Sequence, residues 1–173
     1  MSIAKEYKKL EAVLDNYRNR LDTIPDDQFD LTPPNGGWSY AEVYSHIMQA
    51  TLMAFIALDR CTSGNCKPTK DGLNLSGKFI LLFSRFPPVK IKVPTALASK
   101  MPPQKISKEE AKNLIIKCRK RVEDAVPLVK AASPADRSKH PRMGMLNAKE
   151  WFKFIRIHLQ HHIKQLDRIK KMI

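Results

Sequence analysis

The sequence has few cysteines, no long apolar run and few acidic residues. The three cysteines, Cys61, Cys66 and Cys118, are too few and odd in number for a secreted disulfide framework, and their count excludes a four-cysteine zinc site. No stretch approaches the roughly 18 consecutive apolar residues that span a bilayer, and the first residues lack the apolar core of a signal peptide. We therefore expect a cytoplasmic protein with reduced thiols that does not enter a membrane. A redox pair between Cys61 and Cys66 is the alternative.

Acidic residues are scarce, since 17 Asp and Glu stand against 31 Lys and Arg, and the formal net charge is +14. Such an excess makes a polyanion a partner to consider. The basic residues are spread along the whole chain, however, and form no nucleic-acid-binding motif. We expect a solvated basic surface and no specific nucleic-acid binding. The alternative, a polyanion binder, predicts an affinity that falls steeply with salt.

Length and apolar periodicity indicate a single helical domain over residues 1–173. A chain of this length with 43% hydrophobic residues can bury a substantial core. Apolar residues recur at spacings of three and four in four segments, approximately 2–22, 40–60, 106–132 and 147–173. The sequence contains no internal repeat and no set of alternating strands. The predicted fold class is therefore all-α, an antiparallel four-helix bundle with a long crossover between helices two and three.

Capping residues predict where three of these helices begin. Ser39 is followed three residues later by Glu42, and Ser107 by Glu110, which is the spacing of a capping box. Asn147 is a favourable N-cap residue for the last helix. The second helix is apolar on nearly all sides, so we expect it to be well buried.

Two further segments affect the connections between helices. In the crossover, residues 77–86 predict a short additional helix, whereas residues 86–104 contain five of the 12 prolines and predict an extended loop. A crossover this long is typical of a functional segment, an interface or a connection between non-adjacent helices. Pro127 is expected to kink or end the third helix.

Three of the five histidines lie in the stretch HLQHHIKQ, residues 158–165, of the amphipathic last helix. At about 100° per residue, His158 and His162 lie about 40° apart on its apolar side, and His161 lies at the edge of that side. His46 lies on the apolar surface of the second helix. The last helix places Trp151, Phe152, Ile155, Leu159, Ile163, Leu166 and Ile169 on its apolar side and Lys149, Lys153, Arg156, Gln160, Lys164 and Lys171 opposite.

Inward histidines on two packed helices are a candidate metal site. His46, His158 and His162 could occupy three corners of a tetrahedron and leave the fourth for water or substrate. Zinc and nickel both suit nitrogen ligands, and the sequence does not choose between them. The alternative is that each is a core histidine with its own hydrogen-bond partner, because leaving one unpaired costs about 1–3 kcal/mol.

No catalytic acid or base stands out beside these three histidines. Glu42 lies one turn before His46, but its capping role explains its presence. His140, just before the last helix, either forms part of a turn or reaches the rim of the metal site.

Residues 37–50, GWSYAEVYSHIMQA, and 140–169, HPRMGMLNAKEWFKFIRIHLQHHIKQLDRI, resemble the DinB/YfiT-like superfamily of metal-dependent enzymes. The second stretch carries the H-x-x-H-H-x-x-Q pattern of the DinB-like branch. The resemblance implies a four-helix bundle, often a homodimer, that binds a divalent metal ion through His46, His158 and His162. His161 and Gln165 match the pattern too, but we assign neither as a direct ligand.

The resemblance also suggests a reaction class, because the superfamily includes S-transferases and isomerases that use low-molecular-weight thiols. We expect a metal-dependent enzyme that acts on a small molecule, with a thiol S-transferase favoured and a hydrolase as the variant. A non-catalytic protein whose metal ion only joins two helices is the alternative. Structural zinc sites usually have four protein ligands, which argues against it.

Overall fold

The structure is a computed structural model that describes residues 2–66, 69–87, 102 and 104–173. Within these residues the chain forms six helices and one two-stranded hairpin, so the predicted all-α fold class is confirmed. The elements are α1 (Ile3–Thr23), α2 (Asp26–Phe29), α3 (Tyr40–Thr62), α4 (Leu75–Phe83), α5 (Lys108–Ala131), β1 (Arg137–His140), β2 (Gly144–Asn147) and α6 (Ala148–Lys170).

The four long helices, α1, α3, α5 and α6, form the bundle. Helix α3 packs against α5 and α6, and α1 packs against the same two helices. The two consecutive long helices α1 and α3 therefore lie on a diagonal of the bundle. Tyr17 and Tyr44 join them across its centre, where the Tyr44 hydroxyl donates to the Tyr17 carbonyl at 2.8 Å. This arrangement makes α3 and α6 neighbours, which the candidate metal site requires.

The helices begin where their capping residues predict. Capping boxes are present at Ser39 and Glu42 of α3 and at Ser107 and Glu110 of α5. Asn147 caps α6 by accepting from the backbone N–H of Glu150 at 3.0 Å. Each box satisfies backbone donors that the first helical turn leaves without partners.

Pro127 does not end the third long helix, since α5 continues through it to Ala131. Proline removes a hydrogen bond to the carbonyl four residues earlier, which here belongs to Glu123. Both Pro127 and Glu123 are exposed, so water can reach the freed carbonyl. Pro127 was predicted to kink or end the helix; the predicted end is wrong, whereas the kink stays a prediction.

The hairpin between α5 and α6 was not predicted from the sequence, and neither was the four-residue helix α2. Its strands pair antiparallel, with Arg137 opposite Asn147 and His140 opposite Gly144. Gly144 has a φ of +89°, and a Cβ there would lie 2.5 Å from the Gly72 carbonyl oxygen, so only glycine fits. The strands have four residues each, which is too short for an alternating pattern to stand out. The hairpin brings His140 beside α6.

The crossover contains the short helix that was predicted over residues 77–86, and the structure starts it at Leu75. Asn74 caps this helix by accepting from the backbone N–H of Gly77 at 2.8 Å. Of the loop predicted over residues 86–104, residues 88–101 and 103 lie outside the described part of the chain.

Helix α3 is buried along much of its length, as its composition predicts; Tyr44, Ile47, Met48 and Leu58 have no exposed surface. It is also the one helix among the described residues that is long and apolar enough, by length and composition alone, to cross a membrane. The core helix of a bundle has the same length and composition, and 56% of its apolar window is buried inside the protein.

Candidate metal centre

The three histidines selected by their helical facing come together between α3 and α6. One nitrogen from each of His46, His158 and His162 can be chosen so that all three atoms lie within 4.8 Å of one another. The ring centroid of His46 lies 6.2 Å from that of His158 and 5.3 Å from that of His162. His158 and His162 lie one turn apart on α6, with centroids separated by 4.9 Å. No fourth histidine, cysteine or carboxylate from the described residues joins this group.

Gln165 orients one of the three rings. The Nδ1 atom of His162 lies 2.8 Å from Oε1 of Gln165, three residues later on the same helix. Because an amide oxygen only accepts, Nδ1 carries the proton and Nε2 keeps a free lone pair. Metal-binding histidines generally donate their second ring N–H in this way. Gln165 therefore positions His162 and is not itself a member of the group.

The other two histidines have no partner of their own in the described structure. Nδ1 of His46 is buried and makes no hydrogen bond there, and the ring of His158 makes none either. Burying the Nδ1 atom of His46 without a hydrogen-bond partner costs about 1–3 kcal/mol. A cation shared by the three nitrogens would remove this cost, so the residues present fit a metal ion.

The electrostatic environment keeps these imidazoles neutral. Burial, with further contributions from the surrounding histidines, holds the pKa of His158 well below its usual value. Burial also lowers the pKa of His162 to about 4 and lowers that of His46. Metal coordination requires neutral imidazole. At neutral pH the three rings are thus in the state that binds metal.

Aromatic side chains surround the group. The ring of Phe154 stacks on His158 with an interplanar angle of 14°, and Trp38 lies against His46 with centroids 4.8 Å apart. Phe86 covers His158 from the crossover side, at 6.2 Å. These rings restrict the rotation of the imidazoles. Phe154 could have been found from its spacing of four before His158, whereas no sequence signal pointed to Trp38 or Phe86.

The remaining candidate residues lie outside the group. His161 is exposed and its ring packs on Phe86 at 4.8 Å. His140 holds the hairpin turn, because its Nδ1 accepts from the backbone N–H of Arg142 at 3.1 Å. Its ring also packs on Phe154 at 4.6 Å and so borders the site. Oε2 of Glu42 is occupied by the cap, where it accepts from the Ser39 backbone N–H at 2.8 Å.

Two cavities reach the histidine group from different directions. A cavity of about 310 Å³ extends along α3 and passes His46 and His158. A second cavity of about 490 Å³ lies between α4, the hairpin and α6 and contacts all three histidines. His46, His140, Pro141, Phe154 and His158 line both cavities. Open space therefore borders the histidine group on two sides.

The thiols of Cys61 and Cys66, the possible redox pair, are close but not bonded. Cys61 is the penultimate residue of α3, and its Sγ lies 3.9 Å from that of Cys66. A disulfide requires about 2.05 Å. Both are free thiols in the structure, as is Cys118.

Comparison with known proteins agrees with this architecture. The DinB superfamily matches residues 9–166, and a search of curated proteins found no match. Among solved structures, YfiT from Bacillus subtilis superimposes on this chain with a TM-score of 0.65 at 13% sequence identity. The match covers 99% of this chain and 89% of YfiT, which is described as a probable metal-dependent hydrolase with an unusual four-helix bundle topology. The four-helix bundle protein TT2238 gives 0.62 at 19% identity, covering 96% and 99%.

A mycothiol-dependent maleylpyruvate isomerase also superimposes, with a TM-score of 0.63 at 10% identity, covering 96% of this chain. The match spans 60% of the isomerase. At these identities the structures establish the fold alone, whereas the family match extends over most of the sequence. The chain belongs to the DinB superfamily.

Proposed function

We propose that this protein is a divalent-metal-dependent enzyme whose metal ligands are His46, His158 and His162, with zinc or nickel as the ion. The observation that carries the proposal is the convergence of three neutral imidazoles within 4.8 Å, with no fourth protein ligand from the described residues. Structural zinc sites usually have four protein ligands, whereas catalytic sites keep a position open. The three-histidine group thus favours catalysis over a purely structural role.

A divalent ion in such a site supplies Lewis-acid chemistry, which lowers the pKa of a thiol or water in the open position. The protein's own residues prepare the site for this. Gln165 fixes the tautomer of His162, and the Phe154 ring holds His158 in place. The aromatic rings partly bury the imidazoles, and partial burial strengthens electrostatic interactions inside the site.

We favour transfer from a low-molecular-weight thiol over hydrolysis. Two cavities reach the histidine group, which suits a reaction between two organic substrates better than attack by water on one. The isomerase with this fold is described as mycothiol-dependent. Hydrolysis is the second candidate, supported by the description of YfiT as a probable metal-dependent hydrolase.

The first experiment is metal analysis of protein purified without a histidine tag. Wild type should bind about one zinc or nickel ion per chain, and His158→Ala should bind none, because two imidazoles remain. His161→Ala is the matched control, since His161 adjoins the group without belonging to it, and it should retain the metal ion. Wild type without stoichiometric metal, or His158→Ala that retains it, would refute the proposal.

The second experiment separates the two reactions. Zinc-loaded protein is tested for conjugation of glutathione to 1-chloro-2,4-dinitrobenzene and, separately, for hydrolysis of p-nitrophenyl acetate. Thiol transfer that is lost in His158→Ala and kept in His161→Ala supports the transferase. Hydrolysis with the same dependence, in the absence of thiol transfer, selects the hydrolase instead.

We also propose that the protein is a cytoplasmic homodimer that does not bind specific nucleic acid. Large apolar side chains are exposed on α3 and α4, including Ile56, Leu82 and Phe83, and would be covered in a dimer. Light scattering should therefore give twice the chain mass at micromolar concentration. A monomer under these conditions would exclude the dimer.

A further inference from the structure

We propose that the 310 Å³ cavity, here called the α3 cavity, binds a small organic carboxylate with an apolar body. The carboxylate lies at the outer end of the cavity, at Arg60 and Lys139, and the apolar body extends toward His46 and His158. This inference rests on the proposed function, because it names the substrate class for the same site.

The shape of the α3 cavity follows from small residues on one face of α3. Ala50, Ala54 and Ala57 lie on successive turns between His46 and Arg60. At 1.5 Å per residue, Arg60 lies fourteen positions after His46 and therefore on the order of 20 Å from it along the helix. Each alanine leaves unfilled the space that a larger side chain would occupy. The result is a trough that connects the histidine group to the end of the helix.

The wall opposite this face is mainly aromatic. Trp151 and Phe154 of α6 face the trough, so most of its lining is apolar. The indole N–H of Trp151 is buried and has no hydrogen-bond partner within the described residues. An apolar trough of this kind accommodates a hydrocarbon body better than a sugar or a peptide.

The charged side chains that line the α3 cavity are all basic. Arg60 and Lys139 are among the lining residues and no acidic side chain is. Neither cation forms an ion pair or hydrogen bond with the described part of the chain. The adjacent acid, Asp59, does not neutralise Arg60, because Asp59 forms an ion pair with Arg121 of α5. Two unpaired cations on an apolar trough favour an anion with an apolar body.

A single negative charge fits this position better than a phosphate dianion. Arg60 belongs to the last turn of α3, where the helix dipole places partial negative charge. One guanidinium group and one ammonium group can together bind a carboxylate, and the guanidinium group can donate two parallel hydrogen bonds to it. A dianion would meet more repulsion from the helix end and would leave oxygens without donors.

The proposal is tested with octanoate as the probe, using calorimetry on zinc-saturated wild type. Octanol is the neutral control ligand of the same chain length, and octylamine is the cationic control ligand. Octanoate should bind at least about tenfold more tightly than octanol, the factor expected for a charge-assisted hydrogen bond. Octylamine should not bind measurably. Equal affinity for octanoate and octanol would overturn the proposal.

Two double variants locate the carboxylate. Arg60→Gln/Lys139→Gln should lose about tenfold or more of the octanoate affinity, by the same estimate. Lys112→Gln/Lys130→Gln removes the same charge from exposed positions on α5 and should bind octanoate like wild type. If both variants weaken binding equally, the effect is only the net charge and the proposal is wrong.

A third variant tests the apolar body. Ala57→Leu fills the trough and should abolish octanoate binding while zinc stoichiometry and the circular dichroism spectrum stay unchanged. Binding of octanoate to a folded Ala57→Leu protein at wild-type affinity would place the ligand elsewhere and overturn the proposal.

The same preparations separate this inference from the metal proposal. If wild type holds no zinc but binds octanoate with the same dependence on Arg60 and Lys139, the cavity assignment stands and the metal proposal fails. If wild type holds zinc but does not distinguish octanoate from octanol, the metal proposal stands and the cavity assignment fails.

Discussion

The buried ion pair between Glu6 of α1 and Arg156 of α6 allows a test of what holds these two helices together. The two side chains are 6% and 5% exposed, and Arg156 also donates to Gln160 Oε1 at 2.6 Å. Arg156→Met leaves the Glu6 carboxylate buried without its partner, and loss of one member of a buried pair costs about 3–5 kcal/mol. For a protein of 173 residues, at about 2–4 °C per kcal/mol, the expected fall in Tm is roughly 6–20 °C.

The matched variant is Glu6→Leu/Arg156→Met, which replaces both charges by apolar side chains of similar volume. Such replacements are often neutral or stabilising, so the double variant should recover most of the lost stability. Urea unfolding of the wild type, both single variants and the double variant gives the free energies for a double-mutant cycle. A single variant that loses less than about 1 kcal/mol, the range of an exposed pair, would refute the reasoning. A double variant no more stable than Arg156→Met would do the same.

Three further outcomes are expected. Gln165→Leu removes the acceptor of His162 and should weaken zinc binding about 10–100-fold in a competition titration; unchanged affinity would mean that this bond does not orient the ring. Burial raises the pKa of Cys61 to about 11 and that of Cys118 to about 12, so Ellman's reagent should modify only Cys66 in the native protein and all three thiols after unfolding. Zinc at one hundred times its Kd should add about 2.7 kcal/mol of stability, raising Tm by about 5–11 °C, and no shift on chelation would contradict binding to the folded state.

Local signals in the sequence were sufficient to predict the helices and the histidine group. Capping by Ser39 and Asn147 depends on residues within one turn, and the structure reproduces both starts. Helical periodicity alone decides that His46, His158 and His162 point inward from their helices. The three side chains then meet because α3 and α6 are neighbours. The convergence was predictable because it required one tertiary contact, which the family resemblance supplied.

Features that depend on a third element could not be predicted in the same way. Periodicity places Arg156 on the basic side of α6, yet it is buried because α1 covers that side and brings Glu6 to it. Met53 lies near His46 on the helical surface but is 51% exposed, because no neighbouring helix in the described structure covers it. Phe86 reaches the site through the crossover, whose path periodicity does not determine. In each case a distant segment decides the environment of the residue.

The charge around the histidine group gives the proposed reaction and the proposed ligand a common basis. Neither cavity that reaches the group has an acidic side chain among its lining residues, and Glu42 is occupied by its cap. In many metal sites a carboxylate orients a ligating histidine, but here the neutral amide of Gln165 has that role. Three neutral imidazoles and an amide would leave the charge of a divalent ion uncompensated by the described residues. Since an uncompensated charge in a partly buried site is costly, binding of a thiolate or hydroxide to such an ion is favoured, and the same lack of acidic side chains leaves Arg60 and Lys139 available to the carboxylate at the other end of the α3 cavity.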